Sequence, residues 1–166
     1  MRSQYFIPIL IFFPLLLIQT TIMPFIQISG VVPDLILILL VFYSINNNQI
    51  YGTVLGFIFG FLFDIIAGIL LGSGMISKTI AGFTAGYFSS ETKRDVYLRS
   101  FSFSLIVLLC SFIDSILYSF FSASISAADI STNLILLFFE QGMLPGFYTA
   151  IISLIIVFFS PRRGLK

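Results

Sequence analysis

Apolar runs long enough to cross hydrocarbon follow one another along this chain, with only short polar breaks between them. Inside a bilayer every backbone N–H and C=O must be satisfied by the protein itself, so such runs become helices or the strands of a closed barrel. Barrel strands are segments of about ten residues with alternating polarity, and these runs do not alternate. Charge agrees: 9% of the 166 residues are charged, against about 25% in a soluble domain. The expectation is an all-α integral membrane protein with a single transmembrane domain over residues 1–166, and a soluble enzyme is excluded. A net charge of +1 leaves no basic patch for nucleic acid. With no His and one Cys, Cys110, the chain has neither an internal disulfide nor a His- or Cys-based metal site. No cofactor and no catalytic set are expected.

A crossing helix needs about 20 apolar residues. The first run, Tyr5–Ile28, is longer than the apolar core of a cleaved signal peptide, and no small-x-small site follows it, so it is expected to be retained. Pro8, Pro14 and Pro24 bend it or set its ends. The second, Val31–Ile45, is short; Pro33 and Asp34 open it as a first turn should, and an Asn-rich break at 46–49 stops it. Then come Tyr51–Leu71, Met75–Ser89, Phe101–Phe121 and Asn133–Phe159, the last with Pro145 and Gly146 at an expected bend. The predicted architecture is a compact polytopic bundle of six transmembrane helices, or five if the short second segment does not cross. With six, one face receives Arg2, Lys93, Arg94, Arg99, Arg162, Arg163 and Lys166, which is seven of the eight basic residues. The positive-inside rule makes that face, and both termini, cytoplasmic; the same basic groups offer contacts to anionic lipid or a cytosolic partner.

Two constellations stand out. Gly52, Gly56, Gly60, Asp64 and Gly68 recur at steps of four, and Gly74, Lys78, Gly82 and Gly86 repeat the device in the next run. Small residues at this spacing let helix backbones approach closely, either within the chain or against a partner's helix. The second constellation is the set of charges at or within the spans: Asp34, Asp64, Lys78, Asp114 and Glu140. Intramembrane charges are costly and mark functional sites. Counting from the turns, Asp64, Lys78, Asp114 and Glu140 lie about 9–12 Å below the outer surface, and Asp34 lies at it. Matching depth on one hairpin suggests an Asp64–Lys78 salt bridge, with snorkelling of Lys78 to the headgroups as the alternative. Asp114 and Glu140 are then left without a cation. They are protonated glue between helices, or they line a wet outward cavity, or they receive groups from a partner. Cys110, in mid-span, reads as structural.

The order Pro33-Asp34-Leu35, Tyr43, Gly52, Gly56-Phe57, Gly60, Asp64, Gly68, Leu71-Gly72, then Leu144-Pro145 and an apolar run to a basic tail, resembles the MreD family of bacterial rod shape-determining proteins. The match is best from Pro33 to Gly86. It implies a non-enzymatic scaffold for cell-wall elongation in the bacterial cytoplasmic membrane. The implied partners are the lipid bilayer and MreC, a single-span protein with a periplasmic domain. RodA with its transpeptidase partner, and MreB, belong to the same machinery. The family is also similar in fold to the six-helix substrate-binding membrane subunits of energy-coupling-factor vitamin transporters, and a small-molecule-binding transporter subunit is the competing reading. A channel or proton path would need polar groups through the full thickness, and the cytoplasmic half of the spans has no charged residue.

Overall fold

In a computed structural model, the residues described are 7–28, 30–68, 71–90, 101–126 and 143–159. Among them the secondary structure is six α-helices and no strand: α1 (Ile7–Thr21), α2 (Leu35–Asn46), α3 (Gln49–Ile66), α4 (Ser73–Tyr87), α5 (Phe101–Ser126) and α6 (Leu144–Phe159). A short 3-10 turn, Met23–Phe25, extends α1. Three stretches are long and apolar enough to cross a membrane, Ile7–Phe25, Gln49–Ile66 and Phe101–Phe121, while α2 and Leu144–Phe158 are shorter apolar helices.

The helix ends follow from local chemistry. The first amides of a helix have no partner within it, and a side-chain oxygen just ahead of the helix fills that gap. Asp34 does this for α2, accepting from Leu37 N at 2.9 Å. Pro33 therefore stands outside the helix, not in its first turn as expected. The Asn-rich break works in both directions. Asn46 and Asn47 donate their carboxamides back to Phe42 O and Tyr43 O, closing α2, and Asn48 accepts from Tyr51 N at 2.8 Å, opening α3. Helix α3 ends at Ile66, short of the expected Leu71, and Gly68 lies beyond it at φ +65°. A Cβ at Gly68 would meet nothing within 4 Å. Its expected packing role is corrected: it is the left-handed residue that turns the chain out of α3. Pro145 sits in the first turn of the described helix α6, where it needs no N–H; the expected bend at Pro145 and Gly146 turns on residues outside the described ones. The first part of the expected Asn133–Phe159 span lies outside the described residues.

Helix α2 is the shortest of the six and the most enclosed. It touches α1, α3, α4, α5 and α6, and seven of its twelve residues are buried. Phe12 of α1 stacks on Phe59 of α3 at a ring separation of 4.4 Å, over a core that includes Ile36, Leu37, Leu40 and Val41. Helices α3 and α4 meet backbone to backbone. A Cβ added at Gly60 would lie 2.6 Å from Met75 Cα, one at Gly56 2.8 Å from Lys78 C, one at Gly82 2.9 Å from Gly52 C, and one at Gly86 2.9 Å from Gln49 N. Gly68 apart, both glycine series are thus spent on a single seam inside the chain. The outward faces stay apolar, as in Ile50, Val54, Phe57, Phe61 and Ile65 of α3.

Candidate functional site

The described charged residues, Asp34, Asp64, Lys78 and Asp114, gather at the end of the bundle that holds the α1–α2 connection and the α3–α4 turn. The Lys78 backbone packs against Gly56 of α3, while its side chain runs to Asp34 and Asp114. A helical side chain tilts toward its helix N-terminus, which carries the ammonium up toward that end. There Nζ donates to Asp34 Oδ2 and, at 3.1 Å, to Asp114 Oδ2. It also lies 5.6 Å from the ring centroid of Phe63. One ammonium therefore ties together α2, α4 and α5. The Lys78 side chain is 4% exposed, against 11% for Asp114 and 24% for Asp34, so Lys78 does not snorkel to the headgroups. Burying an ion is costly unless partners and hydrogen bonds compensate it, and here two carboxylates flank one cation.

Asp64 is not part of this cluster, and the expected Asp64–Lys78 bridge is corrected. Its Oδ2 accepts from Gly72 N at 2.9 Å and Met75 N at 3.1 Å. A carboxylate is well placed against the free amides and positive dipole end of α4. Those amides sit directly opposite Asp64 across the hairpin, and Gly74 has no Cβ to keep the carboxylate away. Asp64 is fully buried and locks the α3–α4 turn. Asp114 is corrected in the same way: it has a cation in the chain.

Polar groups that sequence reasoning missed hold the α2 end in register. Gln19 donates to Pro33 O at 2.7 Å and accepts from Leu35 N at 3.0 Å, joining α1 to the start of α2. Thr149 of α6 accepts from Asp34 N at 3.0 Å and donates to Pro145 O at 2.8 Å. The available signal was a polar side chain inside an apolar run, Gln19 beside Thr20 and Thr21 in the first and Thr149 in the last. Beside the ions lies a cavity of about 500 Å³, whose lining includes Asp34, Lys78, Asp114, Ser111, Ser115 and Tyr118. The serines stand at a step of four on α5, a pattern that passes unnoticed when only charges are followed. Glu140, Lys93, Arg94, Arg99, Arg162 and Arg163 lie outside the described residues.

The family model for rod shape-determining protein MreD matches residues 1–161. The chain belongs to the MreD family. No curated protein and no solved structure matches it. Family and apolar helices together make this MreD-family chain an integral membrane protein with a role in rod shape determination. MreD is a family of shape-determining membrane proteins and not a known family of enzymes. The described charges bond to one another and to helix amides, and so position helices.

Proposed function

We propose that this chain is a non-enzymatic scaffold of the cell-elongation machinery in the bacterial cytoplasmic membrane. All six helices cross, both termini are cytoplasmic, and the ion cluster and its cavity face the periplasm. The chain holds an MreC-like membrane-anchored protein and, through it or directly, RodA with its transpeptidase partner and MreB. The observation that carries this reading is the family match over residues 1–161. The geometry supports it, because buried ion pairs and backbone seams tie the helices together beside a polar recess. The test is complementation in a rod-shaped bacterium lacking its own MreD, with affinity purification of the tagged chain. Restored rods and recovery of an MreC-like protein are expected. Round cells despite normal membrane levels of the chain would overturn the reading. Reporter fusions after Arg2 and after Lys166 should both read cytoplasmic; a periplasmic first fusion would replace the six-span topology with five.

One observation favours the second reading, a small-molecule-binding transporter subunit. The recess of about 500 Å³ is within the usual size of small-ligand pockets, roughly 300–1,000 Å³. Native mass spectrometry of the purified chain showing a stoichiometric small molecule, lost on filling the recess, would raise that reading above the scaffold.

A further inference from the structure

The ion cluster is incomplete in charge and in hydrogen bonding, and both gaps fall on Asp114. Two carboxylates, Asp34 and Asp114, share one ammonium, so among the described residues the cluster carries one more negative than positive charge when both are ionised. Of the four carboxylate oxygens, Asp34 Oδ1 accepts from Leu37 N, and Asp34 Oδ2 and Asp114 Oδ2 accept from Lys78. The fourth, Asp114 Oδ1, is buried with no hydrogen-bond partner among the described residues. Asp114 is 8% exposed and lines the recess. An unfilled acceptor on a buried charge is expensive where water is scarce. An anion does not fit, because Lys78 is already held by two aspartates. A water molecule fills the acceptor but leaves the charge.

We propose that the recess receives one positively charged hydrogen-bond donor, a primary ammonium or guanidinium group on a basic side chain of the protein partner. The proposal rests on the scaffold reading for the source of that side chain and on the recess alone for its chemistry. The incoming cation completes a two-against-two arrangement: its N–H bonds fill Asp114 Oδ1, and its charge balances the second carboxylate. Ser111 and Ser115, which line the same recess, supply hydroxyl acceptors for its remaining donors. Electrostatic attraction in this poorly solvated setting gives the contact selectivity for a basic residue over an apolar one of equal length.

The experiment uses the full chain in nanodiscs of phosphatidylglycerol, a lipid with no amine to compete. The probes are Nα-acetyl-lysine amide and its uncharged isostere Nα-acetyl-norleucine amide, and the readouts are thermal unfolding and displacement of a co-purified MreC-like protein. The lysine probe should raise Tm with increasing concentration, and the norleucine probe should not. The shift should vanish in Asp114→Asn. It should vanish equally in Ser115→Leu, which fills the recess while leaving all three charged side chains in the chain and carries the test if Asp114→Asn fails to fold. The lysine probe should also release the partner. No shift with lysine, or an equal shift with norleucine, overturns the proposal. A lysine-dependent shift that leaves the partner bound overturns the partner as the source of the cation, while the scaffold reading still stands or falls on cell shape.

Discussion

Helix α4 joins its neighbours by two opposite chemistries. Against α3 it presents Gly82, Gly86 and the backbone of Gly74 and Lys78, and the contact is main chain on main chain except where the Asp64 carboxylate reaches Gly74. Toward α2 and α5 it presents the ammonium of Lys78, and the contact is a shared ion pair. The first seam gains van der Waals contact by having no side chains, which matters where lipid tails remove the hydrophobic drive for helices to associate. The second gains from charges placed in a poorly solvated space. The glycine seam tolerates nothing larger than hydrogen. The ionic seam tolerates changes made in balanced pairs and resists changes made singly.

The largest expected effect breaks the ionic seam on one side. Lys78→Met leaves Asp34 and Asp114 facing each other without a cation, and stripping one partner from a buried pair costs about 3–5 kcal/mol. Thermal unfolding in detergent should show it, and adding Asp114→Asn should recover part of the loss. Absence of any recovery would mean that the two groups are not energetically coupled.

Next comes the glycine seam. Gly56→Leu places a side chain against the backbone at Lys78, and overpacking costs about 1–3 kcal/mol and occasionally more. Lower yield of folded protein is expected, with no rescue from changes at Lys78's side chain. A Gly56→Leu variant as stable as the native chain would show that α3 and α4 have room to separate.

The Asp64 lock is smaller. Asp64→Asn keeps the shape but weakens two charge-assisted bonds to the first turn of α4, a loss of about 1–2 kcal/mol. Because Asp64 does not pair with Lys78, the losses in Asp64→Asn/Lys78→Met should add. A double variant more stable than Lys78→Met alone would restore the bridge inferred from depth. The smallest effect is Thr149→Val, which removes one acceptor from Asp34 N and should cost about 1 kcal/mol by the same measurement.

The two seams were also unequally legible in the sequence. The glycine repeat is local: steps of four along one helix put all the small residues on one slanting groove, so the close approach can be read from spacing. The helix starts are local too, since Asn48 and Asp34 each cap the turn that follows. The partner of Lys78 is not local. Depth is countable along a hairpin, and it pointed to Asp64. The direction of a side chain around its helix, and which other helices stand there, depend on how α2 and α5 pack against α4. Nothing in the spacing of Asp34, 44 residues before Lys78, or of Asp114, 36 after it, records that meeting. Depth also failed to account for the unmet amides at the start of α4, which took Asp64 first.

The enclosure of α2 bears on how the chain is made. Its twelve residues reach about 18 Å, well short of the roughly 30 Å of hydrocarbon that a lone segment must cross. Its buried face is built for α1, α3, α4, α5 and α6, not for lipid. Gln19 grips its first turn from α1, and the break that separates it from α3 is only two residues, Asn47 and Asn48. During synthesis such a segment gains little by partitioning into the bilayer alone. On the six-span reading it is expected to enter as cargo between two longer neighbours, with insertion led by α1 and α3.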